Sequence, residues 1–302
     1  MPSQPVVTRG QMAERLLAHL ARIRILPRAL LLETPGVRAN VPMLRGTWGA
    51  ALHDLDRDVY ESVFHPRSQG EAHGQVPTYV LRPAPPHPVF APAVEWVLIG
   101  DSAIGHDVRL LLAWGMAMQR GLGKSREPFF VRHIAGLDPG GQLTDQPAPW
   151  TLDQIAWPLS GDPSLTPCRL AFYAPLSLFR DHRLIQKPTL ADLVIRGVKR
   201  IAAFLPEEVQ ETWYELRGEA IEVARRIPAE PWCGQRLDLQ RYSSSQDQEF
   251  EVHGVCGYLD LPEGPHALWP LLAALQWLHV GKSTVVGLGQ VYVEANRTGK
   301  HA

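Results

Sequence analysis

Near its C-terminus the chain carries the stretch HVGKSTVVGLGQ, residues 279–290, between an apolar helical pattern and the strand-like residues 291–294. The stretch combines three glycines, a lysine and two hydroxyl side chains. Glycine lets a backbone approach a ligand closely, and backbone amides, hydroxyls and lysine all suit phosphate oxygens. The sequence therefore predicts a phosphate-binding loop, whose ligand is either a nucleotide or a polynucleotide.

A shorter form of this loop recurs about half a chain earlier. Gly281-Lys282-Ser283 is echoed by Gly123-Lys124-Ser125, and each copy lies between a helical pattern and a strand pattern. Two copies of a β-α-β-β-α-β unit explain the echo economically. The prediction is an α+β fold of tandem ferredoxin-like domains. The helix before the second copy should face a core, because its leucines share one face: Leu268, Leu271, Leu272, Leu275 and Leu278.

A stretch rich in Pro, Gly, Asp and Gln separates the two predicted units. Residues 1–140 form the first domain, residues 141–166 the linker and residues 167–302 the second domain. In the first, we expect strands at 21–33, 78–82, 95–99 and 128–134 and helices at 43–58 and 105–120, with a helix also compatible with the residues before 21. In the second, we expect strands at 169–179, 237–243, 250–261 and 288–294, with helices at 189–227, broken at Pro206, and 266–278.

The composition is that of an ordinary globular protein of 302 residues, 45% hydrophobic and 20% charged. No run approaches the roughly 18 apolar residues that a membrane span needs, and no signal-peptide pattern opens the chain. The three cysteines are widely spaced and odd in number, so neither a disulfide framework nor a zinc site is indicated. We expect a cytoplasmic protein without metal, cofactor or membrane partner.

The overall charge is near neutral, with a net charge of −1 and a pI of about 6.9. Basic residues concentrate in residues 9–45 and 180–200, and acidic residues in 206–222 and 247–251. Such segregation permits a basic groove on a near-neutral protein, although solvated surface arginines would look the same.

The Gly-Lys-Ser triplets do not fit a nucleotide-binding P-loop, G-x-x-x-x-G-K-[ST]. Met118 and Gln276 occupy the positions of its first glycine. Both triplets also follow a helix, whereas a P-loop follows a strand. The chain has no H-E-x-x-H, C-x-x-C or G-x-S-x-G motif either. A polynucleotide is therefore the favoured ligand, and Tyr173, Tyr242 and Tyr258 in predicted strands are candidates for stacking on RNA bases, although core tyrosines would look the same.

Five patches of the sequence, in order, resemble CRISPR repeat-processing endoribonucleases of the RAMP superfamily, Cas6 type. They are residues 44–52, 77–83, 121–129, 241–246 and 279–289. The resemblance implies tandem ferredoxin-like domains and recognition of CRISPR repeat RNA. It also implies metal-independent cleavage within each repeat, giving 2′,3′-cyclic phosphate and 5′-hydroxyl ends.

The resemblance also implies a catalytic histidine on or just after the first helix of the first domain. His53 fits that position, and histidine suits proton transfer near neutral pH. It shares a face of low bulk with Gly46, Gly49, Ala50 and Arg57, which an RNA backbone can approach. An ordinary exposed helix residue would look the same. His65 and His279 are rival histidines, His279 being equally compatible with a helix C-cap, and Tyr60 is a candidate helper.

The predicted RNA contacts surround the glycine-rich loop and this helix: Arg45, Arg57, Arg241, His279, Gly281, Lys282, Ser283, Thr284, Gly287 and Gly289. The expected partner is CRISPR repeat RNA or crRNA. A near-neutral protein also fits a place among other CRISPR effector subunits. The alternative is a non-catalytic RNA-binding RAMP subunit that holds a guide cut by another enzyme, and a ferredoxin-like protein scaffold is a third class.

Overall fold

The computed structural model describes residues 9–32, 40–64, 76–84, 91–122, 126–243 and 248–296, without the side chains of 9, 91–93, 239–243 and 248–252. The first half forms one antiparallel sheet with helices on it. Its elements are α1 (Arg9–Leu20), β1 (Arg24–Leu32), α2 (Val41–Leu55), α3 (Arg57–Phe64), β2 (Tyr79–Pro83), β3 (Ala91–Ile99), α4 (Asp101–Gly105), α5 (Asp107–Arg120), β4 (Val131–Leu137), β5 (Leu143–Thr144) and β6 (Trp150–Thr151).

The second half forms a four-stranded antiparallel sheet and a short hairpin. Its elements are β7 (Cys168–Leu176), β8 (Phe179–Arg180), β9 (Arg183–Leu184), α6 (Leu190–Ala202), α7 (Gln210–Arg226), β10 (Cys233–Ser243), β11 (Gln248–Leu261), α8 (Trp269–Leu278) and β12 (Tyr292–Ala295). Its strand order is β10-β11-β7-β12, and the first sheet has the matching order β2-β3-β1-β4. Each half is thus a ferredoxin-like β-α-β-β-α-β unit, so the predicted fold class is confirmed.

An aromatic cluster fills the core beneath the helices of the first unit. Trp48 stacks on Trp114 with ring centroids 5.1 Å apart, and its indole N–H donates to the Leu110 carbonyl at 2.9 Å. Phe64 and Tyr79 stack beside it at 4.6 Å. Because these rings lie under α2, their packing holds that helix against the sheet.

Two features of the first half differ from the sequence-based expectation. The helix predicted at 43–58 is two helices, because Asp56 is extended and its carboxylate accepts the backbone N–H of Val59 as a cap for α3. The predicted linker is partly folded, since β5 pairs with β4 and β6 pairs with β1. Trp150 in β6 also meets Trp277 of α8 edge-on at 5.0 Å.

Helix α1 packs against the helices of the second unit. Its buried residues Met12, Leu16 and Leu20 join the same apolar cluster as residues of α6, α7 and α8. Arg15 also donates to Glu219 on α7 at 2.7 Å. The two halves therefore share one continuous core.

Candidate RNA interface

Helix α2 presents a path of small residues that ends at His53. Asn40 begins the helix by accepting the Met43 N–H at 2.9 Å, and Pro42 lies in its first turn. Gly46, Ala50 and His53 are exposed, and their spacing puts them on one face of the helix. A Cβ at Gly46 would have no neighbour within 4 Å. An RNA backbone thus has open access along this face.

His53 is held from two sides at the end of that path. Its Nδ1 lies 3.3 Å from an Asp54 carboxylate oxygen, and its ring meets Tyr60 edge-on at 5.1 Å. Asp54 is also ion-paired with Arg120 at the end of α5. The hydrogen bond from His53 and the contact with Arg120 hold the pKa of Asp54 below its usual value. The carboxylate is therefore ionised and orients the imidazole with Nδ1–H toward Asp54.

The predicted face of low bulk is narrower than expected. Gly49 is buried against α3, where a Cβ would lie only 2.9 Å from the Phe64 ring. Arg57 is exposed but begins α3, on the far side of the break at Asp56. Sequence reasoning missed Asp54 and Arg120. Asp54 could have been predicted, because it is adjacent to His53 in the sequence. Arg120 could not, because only the fold brings it close to Asp54.

Arg45 is partly buried against the aromatic cluster. Its Nε donates to the Tyr79 hydroxyl at 2.8 Å, and its guanidinium lies 5.2 Å from the Phe64 ring centroid. These contacts fix the guanidinium near the N-terminal half of α2.

The backbone of the glycine-rich loop depends on its glycines. Gly281, Gly287 and Gly289 all have positive φ values, of 94°, 88° and 67°. A Cβ at Gly281 would lie 2.7 Å from the Ser177 carbonyl oxygen, and one at Gly289 would overlap the Val280 carbonyl. The chain closes on itself here, since the Val280 N–H donates to the Gly289 carbonyl at 2.9 Å. The glycines shape the loop.

Only part of the loop is open to solvent. Lys282 and Ser283 are exposed and Gly281 is partly exposed, whereas Thr284, Gly287 and Gly289 are buried. The Lys282 ammonium lies 4.4 Å from the centroid of the Phe179 ring, which holds it in place. The groups that this loop offers to a phosphate are therefore Lys282 and Ser283.

The loop contacts the first unit next to the start of α2. A Cβ at Gly287 would touch Val41 at 3.4 Å, and Val285 packs against the hydrophobic core of the first unit. His53 lies twelve residues beyond Val41 along the helix, or about 18 Å of helix axis. The loop therefore contacts the start of the same helix that carries His53 near its end.

His279 is fully buried, with no exposed surface. It ends α8 by donating its backbone N–H to the Leu275 carbonyl, and its Nδ1 lies 3.0 Å from the Leu288 carbonyl. A side chain without exposure cannot reach RNA, so the prediction that His279 contacts RNA does not hold in this structure. His279 does occupy the C-cap position of α8, but through its backbone N–H and not as the cation that would favour a helix C-terminus.

Two buried arginines surround the same helix end. Arg82 donates to the Gln276 carbonyl at 2.9 Å, and Arg200 donates to the Leu278 carbonyl at 3.2 Å. Burial lowers the pKa of Arg200 to about 9. Burial, reinforced by these two cations, lowers the pKa of His279 well below its usual value. His279 is therefore neutral in the folded protein.

A pH dependence of stability follows for His279. His279 is protonated near pH 6.5 in the unfolded chain but stays neutral in the folded protein at that pH. The contribution of neutral His279 to the free energy of unfolding is therefore fully present above about pH 6.5 and is lost as the pH falls. Urea unfolding should show the free energy of unfolding decreasing below pH 6.5 by up to about 1.4 kcal/mol per pH unit for this proton. His279→Gln should lose that part of the slope, and an identical slope in both proteins would contradict the assignment.

The tyrosines proposed for base stacking differ in availability. Tyr173 is exposed and its hydroxyl donates to a Glu294 carboxylate oxygen at 2.6 Å. Tyr258 is partly exposed, but the Arg169 guanidinium occupies one face of its ring, 3.5 Å from the ring centroid. The side chains of Tyr242 and Arg241 lie outside the described residues, as do His65 and Gly123-Lys124-Ser125.

Two ferredoxin-like units, with a glycine-rich loop of the second in contact with α2 of the first, define a tandem ferredoxin-like α+β protein. Residues 165–291 match the sequence model of a family described as CRISPR-associated endoribonuclease Cas6. The resemblance to Cas6-type CRISPR repeat-processing proteins is thereby confirmed. No curated protein matches the sequence.

Solved Cas6 structures have the same fold. A Cas6 product complex superposes with a TM-score of 0.55 at 14% identity, covering 90% of this chain and 99% of that one. A second Cas6 product complex gives 0.52 at 19% identity, covering 90% and 100%. A chain of a partial Cas6-RT-Cas1–Cas2 complex gives 0.54 at 12% identity, covering 93% and 48%. Within the described residues, no helix is both long and apolar enough to span a membrane.

Proposed function

We propose that this protein is a CRISPR precursor-RNA endoribonuclease that cuts within each repeat by metal-independent general acid–base catalysis. The observation that carries the proposal is the position of His53, exposed and hydrogen-bonded to Asp54, on a helix whose start contacts the Cas6-type glycine-rich loop. Lys282 and Ser283 bind the RNA backbone at the loop. From there the RNA strand continues over Gly46 and Ala50 to His53.

The chemistry follows from how His53 is held. With Nδ1–H donated to Asp54, the lone pair of the imidazole is on Nε2, which suits a general base. Nε2 takes the proton of the 2′-hydroxyl, and the 2′-oxygen forms a bond to the adjacent phosphorus. The bond from phosphorus to the 5′-oxygen breaks, and the leaving oxygen takes a proton from water, whose hydroxide then takes the proton held by Nε2 of His53. The products are a 2′,3′-cyclic phosphate and a 5′-hydroxyl, with no net redox change.

Arg57 lies one turn beyond His53 in sequence and is exposed, so we propose it as a further phosphate contact. Arg45 is proposed in the same role near the start of the path, with its guanidinium positioned by Tyr79. Because both belong to the first unit and Lys282 belongs to the second, the RNA crosses from one unit to the other.

Cleavage of a cognate repeat RNA in EDTA tests the proposal. The expected result is one cut within the repeat, an upstream fragment resistant to ligation at its 3′ end until the cyclic phosphate is removed, and a 5′-hydroxyl downstream. Cleavage that requires added Mg²⁺ would contradict the mechanism. Binding without cleavage would favour the non-catalytic RNA-binding subunit, and no binding would favour the protein scaffold.

A further inference from the structure

The short hairpin β8–β9 has an unusual turn. Phe179 pairs with Leu184 and Arg180 with Arg183, so Asp181 and His182 alone form the turn. Both have positive φ values, of 49° and 62°. Two-residue turns of this conformation favour Asn-Gly, since side chains beyond Cβ make positive φ costly. The hairpin therefore keeps a charged residue and a histidine where glycine would be easier to accommodate.

This hairpin lies directly beside the glycine-rich loop. The Ser177 carbonyl, two residues before β8, accepts the Lys282 N–H at 3.1 Å. Phe179, the first residue of β8, lies under the Lys282 ammonium at 4.4 Å. The exposed part of the loop and the hairpin consequently form one continuous surface.

The exposed charge on that surface is mainly positive. Arg180, Arg183 and Lys282 are exposed, and the exposed acid of the turn is Asp181. Arg180 is ion-paired with Asp192, whose carboxylate is buried as part of the cap of α6. Arg183 lies opposite Arg180 in the strand register of the hairpin, so two arginine side chains flank the same turn. A polyanion is the partner that such a surface suits.

We propose that the β8–β9 hairpin and Lys282 form a second stretch of RNA-backbone site, in which Arg183 and Arg180 contact phosphates beyond those held by the glycine-rich loop. This inference rests on the proposed function, because the bound polyanion is the repeat RNA. RNA is favoured over an acidic protein because the surface continues the loop that matches the Cas6 family. The RNA thus passes over both sides of Lys282, toward α2 on one side and along the hairpin on the other.

The test measures repeat-RNA affinity against salt concentration in a His53→Ala background, so that the RNA stays intact. Arg183→Ala should weaken binding by about five- to tenfold at moderate salt, and it should reduce the slope of log K against log salt by about 0.7, the value of one phosphate contact on a single strand. Arg183→Lys should keep the slope. Arg225→Ala, which removes an exposed arginine on α7 that is paired with Glu222, is the matched control and should change neither quantity.

Two failures are distinguishable. If the parent protein binds the repeat and Arg183→Ala keeps the parental affinity and slope, the hairpin is not an RNA site, although the proposed function stands. If the parent protein does not bind the repeat at all, the proposed function and this inference both fail. Because the Arg183 side chain is exposed, Arg183→Ala should unfold at the same midpoint temperature as the parent protein. Any loss of RNA affinity is then due to the missing contact and not to a loss of folded protein.

Discussion

Replacing His53 by alanine is expected to slow single-turnover cleavage of a repeat RNA by about 10²- to 10⁴-fold, the usual contribution of a positioned general base. RNA affinity should stay at the wild-type level, because the proposed backbone contacts are made by Lys282, Ser283 and the arginines. The measurement is the cleavage rate at saturating protein, together with the affinity for a repeat that carries a 2′-deoxy group at the cut. Normal cleavage by His53→Ala would move catalysis to another residue.

His133→Ala is a closely matched control. His133 is also an exposed histidine, and its Nε2 lies 3.1 Å from the carboxylate of Asp145, which follows β5. Full activity in that variant would show that the effect is specific to His53. Asp54→Asn should lower the rate at unchanged affinity, because an amide no longer favours the Nδ1–H tautomer. Asp54→Glu should retain more activity than Asp54→Asn if the carboxylate acts by positioning the imidazole.

Gly289→Ala should have the largest effect on stability. The new Cβ would overlap the Val280 carbonyl, which is backbone, and the φ value of 67° is unfavourable for any side chain. The expected loss is about 2–4 kcal/mol in the free energy of unfolding, within the range for steric and backbone strain. Urea unfolding provides the measurement. RNA affinity should fall as well, because the loop must open to accommodate the methyl group.

Gly218→Ala provides the comparison for that substitution. Gly218 lies within α7, and a Cβ there would have no neighbour within 4 Å. The same change should therefore stabilise the protein by about 0.5–1 kcal/mol, the usual gain of alanine over glycine in a helix. Equal effects of the two substitutions would show that the loop tolerates a side chain at Gly289.

The succession of helices and strands along both units could be predicted from local patterns. The leucine stripe of α8 and the repeated Gly-Lys-Ser triplet identified the helix-loop-strand end of each unit, and short-range spacing suffices for that. The break at Asp56 was not predicted, because one cap residue decides between one helix and two. The burial of His279 was also missed, since it depends on Leu288 and on Arg82 from the other unit, contacts that only the assembled fold creates.

The packing of α1 against the second unit has a consequence for folding during synthesis. Its apolar residues Met12, Leu16 and Leu20 are synthesised well before the helices they pack on, α7 and α8, which end at Arg226 and Leu278. At roughly 5–20 residues per second, synthesis needs about 15–50 s to supply those partners. During that interval the nascent chain carries an amphipathic helix without its docking surface. Helix α1 can thus join its core only after α8 has been made, and cutting the chain between the two sheets would separate α1 from that core.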